Sequence, residues 1–256
     1  RISAVNAAGT GTPSETASAT TRMLTITQLD GNIYAGNTSV GIDSSGYPIV
    51  VGYGQGAGPK VWSCENESCT SAEGNLLQAP AQHEGHYNSI TIGTDGNPVI
   101  AFYDEEVNFS VEESNDLQVA SCADAVCTTA SNTITTLDST GDVGSYNSIV
   151  LGADGNPVIA YYDATNKDLK VAACSNPTCT SATITTVASE GWVGSHNSIA
   201  LGADNNPIIS YYIDDGSGIP GGVGVAACSN PTCTSATLTV PESGGQMGWN
   251  TSIAIG

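Results

Sequence analysis

Short apolar runs separated by clusters of Gly, Asn, Asp, Pro and Ser recur along this chain, and no 3.6-residue apolar stripe outlasts a turn or two. The clearest unit is residues 147–186, NSIVLGADGNPVIAYYDATNKDLKVAACSNPTCTSATITT. Its pattern predicts four strands. The first, NSIVLG (147–152), is small and apolar, which suits a crowded inner position. A turn follows at Ala153, Asp154, Gly155 and Asn156, where the Asp-Gly pair tolerates positive φ. The second strand, PVIAYY (157–162), is apolar on both faces, as a strand covered on both sides should be. Its proline stands at the strand start, where a missing N–H is tolerated. The third, DLKVAAC (168–174), alternates. The fourth, TSATITTV (180–187), carries Thr at every second position and predicts an outer strand with one wet face.

This unit is repeated. Copies begin at Asn197, at Asn88 and, in worn form, at Thr38, and a fifth opens at Thr251 and stops within TSIAIG. The equivalent prolines Pro48, Pro98, Pro157 and Pro207 are spaced by roughly 50, 59 and 50 residues, a period that marks a repeat array built from short strands. The expected fold is all-β, a β-propeller of four-stranded blades with at least five blades. The blades are expected at 38–79, 88–137, 147–187 and 197–240. The segment 23–30 (MLTITQLD) matches the strand TITTLD at 133–138 and is expected to be the last strand of a closing blade, with 251–256 as its first; joining chain ends in this way removes an exposed sheet edge. The middle strands of that blade are missing, so the chain is expected to be truncated.

Residues 1–22 read RISAVNAAGTGTPSETASATTR, an alternating strand, a Gly-rich hairpin loop and a Ser/Thr strand. They resemble the C-terminal tail of a fibronectin type III domain, which implies a longer modular protein that continues into the propeller at residue 23. The repeat segment Ser-x-x-x-Gly-x-Asp-Gly-Asn-Pro distantly resembles the Asp-box turn of sialidase-like propellers, and also secreted bacterial propeller repeats found beside fibronectin type III modules. The Asp-box tryptophan is lacking. The sialidase family binds its substrate carboxylate with three arginines, whereas the arginines here are Arg1 and Arg22, both outside the repeats, which argues against that activity.

Charge narrows the partners. The formal net charge is −20, with five Lys and Arg against 25 Asp and Glu. Nucleic-acid binding needs cations that displace phosphate counterions, so it is set aside, and an anionic membrane surface is set aside for the same reason. No apolar stretch is long enough to span a bilayer. All eight cysteines fall as C-x4-C pairs across the turn between the third and fourth strands: Cys64 with Cys69, Cys122 with Cys127, Cys174 with Cys179 and Cys228 with Cys233. Cysteines flanking so short a loop can face each other closely enough to bond, whereas zinc needs four ligands and no His accompanies any pair. Four local disulfides are expected, hence an oxidising, extracellular or cell-surface location. Each contributes about 2 kcal/mol by loop-closure entropy.

Length variation among the copies gathers in the loops after the second strands, at 104–116 and 213–222, while the opposite loops stay uniform. Variable loops on a constant scaffold are where recognition usually lives. Tyr87, Tyr146, His196 and Trp249 are expected to enter the inner strands on that face, with Asn37 in the worn copy. His86, Asp142, Glu190 and Trp192 lie nearby, and Asp104 and Asp163 close the second strands. Aromatics with carboxylates around a depression can stack on sugar rings and hydrogen-bond their hydroxyls. The candidate ligand site is therefore Tyr87, Tyr146, His196, Trp249, Trp192, Asp104 and Asp163. No cofactor is expected beyond a weak calcium candidate at Asp214 and Asp215; no segment matches a calcium-loop pattern. No Gly-x-Ser-x-Gly elbow, phosphate loop or haem motif is present. The chain accordingly reads as a non-enzymatic extracellular binding or adhesion propeller whose partner is a glycan or other surface polymer. The alternative is a structural scaffold or filament subunit joined to neighbouring subunits by strand addition, and a polysaccharide-active enzyme comes third.

Overall fold

A computed structural model of the 256-residue chain describes residues 33–54, 58–77, 83–106, 115–128, 131–214, 221–242 and 248–255, together with 5–6, 9–10 and 29. Among these residues every regular element is a strand. β1 (Val5–Asn6) and β2 (Gly9–Thr10) form a two-residue antiparallel ladder. The rest of the fibronectin resemblance, and the strand expected at 23–30 apart from Leu29, lie outside the described residues.

Four antiparallel sheets follow, each a meander in chain order. The first is β3 (Ile33–Ile42), β4 (Pro48–Gly54), β5 (Gly58–Cys64) and β6 (Ala72–Leu76). The second is β7 (His83–Ile92), β8 (Pro98–Glu106), β9 (Asp116–Ser121) and β10 (Thr133–Asp138). The third is β11 (Val143–Leu151), β12 (Pro157–Asp163), β13 (Asp168–Cys174) and β14 (Ala182–Ala188). In the fourth, the inner strand is split into β15 (Trp192–Val193) and β16 (Ser198–Leu201), both paired to β17 (Pro207–Asp214), with β18 (Gly222–Cys228) and β19 (Ala236–Glu242) outside it. Four-stranded sheets packed face to face in sequence are the blades of a β-propeller.

The core lies between the blades. One apolar cluster joins the first two sheets through Ile49, Val51, Ile100 and Phe102; a second joins the next pair through Val99, Leu117, Ile159 and Tyr161; a third, through Val158, Leu169, Ile209 and Tyr211, joins the last two. This is why the second strands read as continuous apolar runs: β12 is buried at nearly every position, while β14 is mostly half-buried. The turns between first and second strands are closed by one device. Asp154 Oδ1 accepts the Asn156 N–H at 3.0 Å, and Gly155 adopts φ 80°. Asn205 replaces that glycine in the fourth blade at φ 62°, as a residue tolerant of the left-handed region.

The four expected cysteine pairs are all disulfides, Cys64 to Cys69, Cys122 to Cys127, Cys174 to Cys179 and Cys228 to Cys233, with Cα separations of 4.9–5.0 Å. The spacing implied the pairing but not the backbone that brings it about. The second cysteine of each pair takes the left-handed conformation: φ is 47° at Cys69, 50° at Cys127, and 52° at Cys179 and Cys233. Each of these residues donates its N–H to the carbonyl three residues earlier, on Asn66, Asp124, Asn176 and Asn230 respectively. The tight turn thus folds the second cysteine back onto the first. Cys127, Cys179 and Cys233 are at most 1% exposed, whereas Cys69 in the worn copy is only half-buried.

The blades are also stitched at their inner strands. Ser39 Oγ accepts the Ile90 N–H at 3.3 Å, Ser89 Oγ that of Ile149 at 3.1 Å, Ser148 Oγ that of Ile199 at 3.2 Å, and Ser198 Oγ that of Ile253 at 3.3 Å. The serine of each copy thus accepts from the copy after it. Residues 251–255, expected as a strand, carry no ladder, yet Thr251 donates its N–H to His196 O and its hydroxyl lies 3.0 Å from Ser210 Oγ. The segment is held against the fourth blade, so the expected strand addition by a neighbouring subunit finds no support here.

Behind the stitching sits a buried charge cluster. Lys170 Nζ lies 2.6 Å from Asp138 and 3.5 Å from Asp163, and the Tyr161 hydroxyl donates to Asp138 at 2.6 Å. Burial pushes the Asp138 carboxyl up, but the bonds from Lys170, Tyr161 and the Thr140 N–H outweigh it and hold it below the usual carboxylate range. Lys170→Met is expected to cost about 3–5 kcal/mol at pH 7, because it leaves buried carboxylates without their cation. The depressed Asp138 value contributes stability above about pH 4, lost as pH falls through the folded value. The gap between wild type and variant in urea melts therefore narrows below about pH 4. Ser148→Ala, which strands the Ile199 N–H, is expected to lower stability by about 1–3 kcal/mol in the same assay.

Candidate functional site

Three inner strands carry the same six-residue pattern, Gly-x-aromatic-Asn-Ser-Ile: GHYNSI at 85–90, GSYNSI at 144–149 and GSHNSI at 194–199. The glycine allows close approach to the preceding blade. A Cβ on Gly144 would lie 2.7 Å from Leu117 Cα, and one on Gly194 2.6 Å from Leu169 Cα. The ladder then breaks, with Ser145 opposite Tyr162 and Ser148 opposite Ala160, which leaves two residues in a bulge. The aromatic residue in that bulge takes the left-handed conformation: φ is 52° at Tyr87 and Tyr146 and 51° at His196. Such a backbone costs a bulky side chain about 1–2 kcal/mol, and residues held this way cluster at ligand sites. Asn37 (φ 60°) and Asn250 (φ 57°) hold the equivalent place in the first and fifth copies.

The bulges converge on a cavity of about 200 Å³ lined by Asn37, Tyr87, Asn88, Tyr146, Asn147, His196, Asn197, Asn250 and Thr251. Five repeats contribute to it. The volume is below the roughly 300–1,000 Å³ that encloses a drug-sized ligand, so the cavity suits one ring or one end of a longer molecule. Its rim is an arc of rings. Tyr87 and Tyr146 have centroids 4.4 Å apart, Tyr146 and His196 4.3 Å, and His196 and Trp249 5.2 Å. Behind it, Tyr103, Tyr162 and Tyr212 meet these rings edge-on at 6.1–6.2 Å.

Three of the residues that line the cavity carry a buried acceptor without a donor. Asn88, Asn147 and Asn197 each donate Nδ2–H to the carbonyl of the pattern's glycine at 2.9–3.0 Å, which fixes the amide orientation. Their Oδ1 atoms are buried and have no hydrogen-bond partner, and the residues are 6%, 8% and 9% exposed. Two carboxylates flank the arc. The Tyr103 hydroxyl donates to Asp142 Oδ1 at 2.9 Å, and Glu105 lies 3.4 Å from His86 Nδ1. Burial, the Tyr146 phenol and the charges of Glu105 and Asp142 push the Tyr87 phenol up, and burial and Asp142 do the same to Tyr103, so both stay protonated donors at neutral pH.

The structure redistributes the residues expected from the sequence. Tyr87, Tyr146 and His196 stand together around the cavity. Trp249 stands one position earlier than the equivalent residue, which is Asn250; it is 63% exposed and rests on His196 and Tyr212 as the end of the arc. Trp192 lies away from the cavity, with Lys167 Nζ 3.8 Å over its ring. Asp104 and Asp163, 2% and 1% exposed, bind Gln118 and the Lys170 cluster inside the blades rather than the cavity. Asp214 ends β17 opposite Trp192, and Asp215 lies outside the described residues. Among the described residues no three of His, Cys, Asp and Glu gather to hold a metal ion. The asparagines of the wall are absent from the residues expected from the sequence, although their recurrence ahead of Ser-Ile was the available signal.

No family model and no curated protein matches the chain. Solved structures of similar shape include a protein of unknown function from Dyadobacter fermentans (13% identity, TM-score 0.59, 80% of this chain) and an α-L-arabinofuranosidase from Lactobacillus brevis (12%, 0.52, 82% of this chain and 76% of that one). A GH43 endo-arabinanase from Bacillus licheniformis is also similar (14%, 0.51, 79% of this chain and 74% of that one). The chain spans 64% of the length of the Dyadobacter protein. At these identities the likeness shows the fold, a β-propeller, and carries neither the Asp-box nor the fibronectin resemblance. It corrects the expectation of a non-enzymatic adhesion module or filament subunit, because the solved propellers of this shape include enzymes that act on glycans.

The strained position gives a direct test. Asn tolerates the left-handed region better than Ala does. Tyr146→Asn is therefore expected to be more stable than Tyr146→Ala by about 0.5–1 kcal/mol in urea melts, the reverse of the order in a strand ladder.

Proposed function

We propose that this chain is a secreted or cell-surface, glycan-cleaving β-propeller whose repeat copies share one axial site. The observation that carries the reading is the convergence of equivalent positions from five repeat copies, three of them bearing the Gly-x-aromatic-Asn-Ser-Ile pattern, on a single cavity rimmed by rings and flanked by carboxylates. Aromatic faces along the arc give a sugar ring an apolar platform, and the phenols and amides give its hydroxyls partners. Glycoside cleavage uses two carboxyl groups, one donating a proton to the leaving oxygen and one activating water or attacking the sugar. Asp142, held as an acceptor by the Tyr103 hydroxyl, suits the base or nucleophile. Glu105, beside His86 at the outer edge, supplies the second carboxyl group. The low-identity likeness to arabinan-acting propellers supports the same reading, and four disulfides fit folding in an oxidising compartment.

The test is reducing-sugar release from a panel of plant, fungal and bacterial polysaccharides. Cleavage of at least one is expected, with Glu105→Gln and Asp142→Asn each lowering kcat by about 10²–10⁴-fold while KM changes little. Cleavage that survives in both variants contradicts the assignment, and no cleavage across the panel contradicts the function.

A further inference from the structure

Taken as a chemical surface, the site offers carboxylates, π-faces and phenol donors, and holds no Lys or Arg among its described residues. Three buried amide oxygens, Asn88, Asn147 and Asn197 Oδ1, have no donor. Two carboxylates, Glu105 and Asp142, stand by the rim with Tyr87 and Tyr103 between them. The cations among the described residues are engaged elsewhere: Lys60 lies over Trp62, Lys167 lies over Trp192, and Lys170 is in its buried cluster. The chain as a whole carries −20. A uronate or sulfated glycan would meet like charge, with no Lys or Arg among the described residues of the site to compensate it. The hydroxyls of a neutral glycan donate to the same oxygens, but they bring no charge to set against the two carboxylates.

We propose that the axial site is selective for amine-bearing glycans, chains whose sugars carry a free ammonium group. This rests on the glycan reading above and names its substrate class. An ammonium brings three donors and a positive charge, which matches the carboxylates of Glu105 and Asp142 at the rim. It is also attracted to the π-electron density of the ring arc. The carboxylates and the acidic surface draw it in from solution, an effect that salt screens. N-acetylation of the same sugar removes the charge and replaces two donors with a bulkier amide, so a single chemical change on the ligand isolates the proposed contact.

The experiment is calorimetric titration of the full chain with four tetrasaccharides: a glucosamine tetramer, its fully N-acetylated counterpart, a neutral galactose tetramer and a galacturonate tetramer. The glucosamine tetramer is expected to bind at least tenfold more tightly than the acetylated one in low salt, with the ratio shrinking in 0.5 M NaCl, and galacturonate is expected not to bind. Asp142→Asn and Tyr146→Asn, whose folding is checked by thermal melts, are expected to reduce the preference severalfold. Equal or tighter binding of the acetylated or neutral tetramer overturns the proposal while leaving the glycan reading intact. Unchanged glucosamine binding in both variants assigns it to the acidic surface at large and also overturns the proposal. Absence of binding to all four, together with no cleavage in the polysaccharide panel, defeats both.

Discussion

The contact on which the molecule depends is the hydrogen bond from the backbone N–H of Ile in one copy of the inner strand to the Ser hydroxyl of the copy before it. It occurs four times, from Ser39 and Ile90 through to Ser198 and Ile253, at 3.1–3.3 Å. Apolar clusters between blades supply most of the attraction, but they are non-directional and allow one sheet to slide on the next. The hydroxyl bond fixes register. It also satisfies an inner-strand N–H that would otherwise be left without a partner at some cost.

The same stitch sets the site. Once Ser and Ile are locked across the blade boundary and glycine is pressed against the neighbouring strand, the two residues between them have no place in the ladder. They bulge toward the axis: the aromatic side chain is forced into the left-handed region, and the asparagine amide bridges back to the glycine carbonyl. Strain, orphaned oxygens and stacked rings are therefore one consequence of packing the blades closely. Stability comes from the blade faces, and the functional surface is assembled where their inner edges meet. Among the described residues the carboxylates divide in the same way. Asp138 and Asp163 are consumed by Lys170 in the interior, whereas Glu105 and Asp142 remain at the rim.

Much of this architecture was legible in the repeats. The third strand runs from Asp168 to Cys174 as expected, although it is buried from Leu169 onward instead of alternating, the Asp-Gly-Asn turn needs positive φ at Gly155, and each C-x4-C pair is bonded. The left-handed backbone at Cys69, Cys127, Cys179 and Cys233 was not legible, because cysteine carries no turn signal of its own. The site was legible in part. Alternation cannot register a bulge, so a first strand expected from residue 147 starts instead at Val143, and Asn250 stands where Trp249 was expected. Asp104 and Asp163 end apolar strands and read as surface residues; only the neighbouring Gln118 and Lys170, on the adjacent strand, explain why they are buried. Function was the least legible level, because a site built from one or two residues of each of five copies has no single motif to find.

The coupling of stitch to site is most directly tested by native-state amide exchange followed by NMR. If the inner-edge bonds hold the propeller together, the amides of Ile90, Ile149 and Ile199 exchange only through global unfolding, with protection matching the stability from urea melts. Ser148→Ala should then lower the protection of Ile199 and shift the resonances of Tyr146 and Asn147. Exchange at these isoleucines as fast as in the exposed 153–156 turn, or an unperturbed Tyr146 in the variant, would contradict the account.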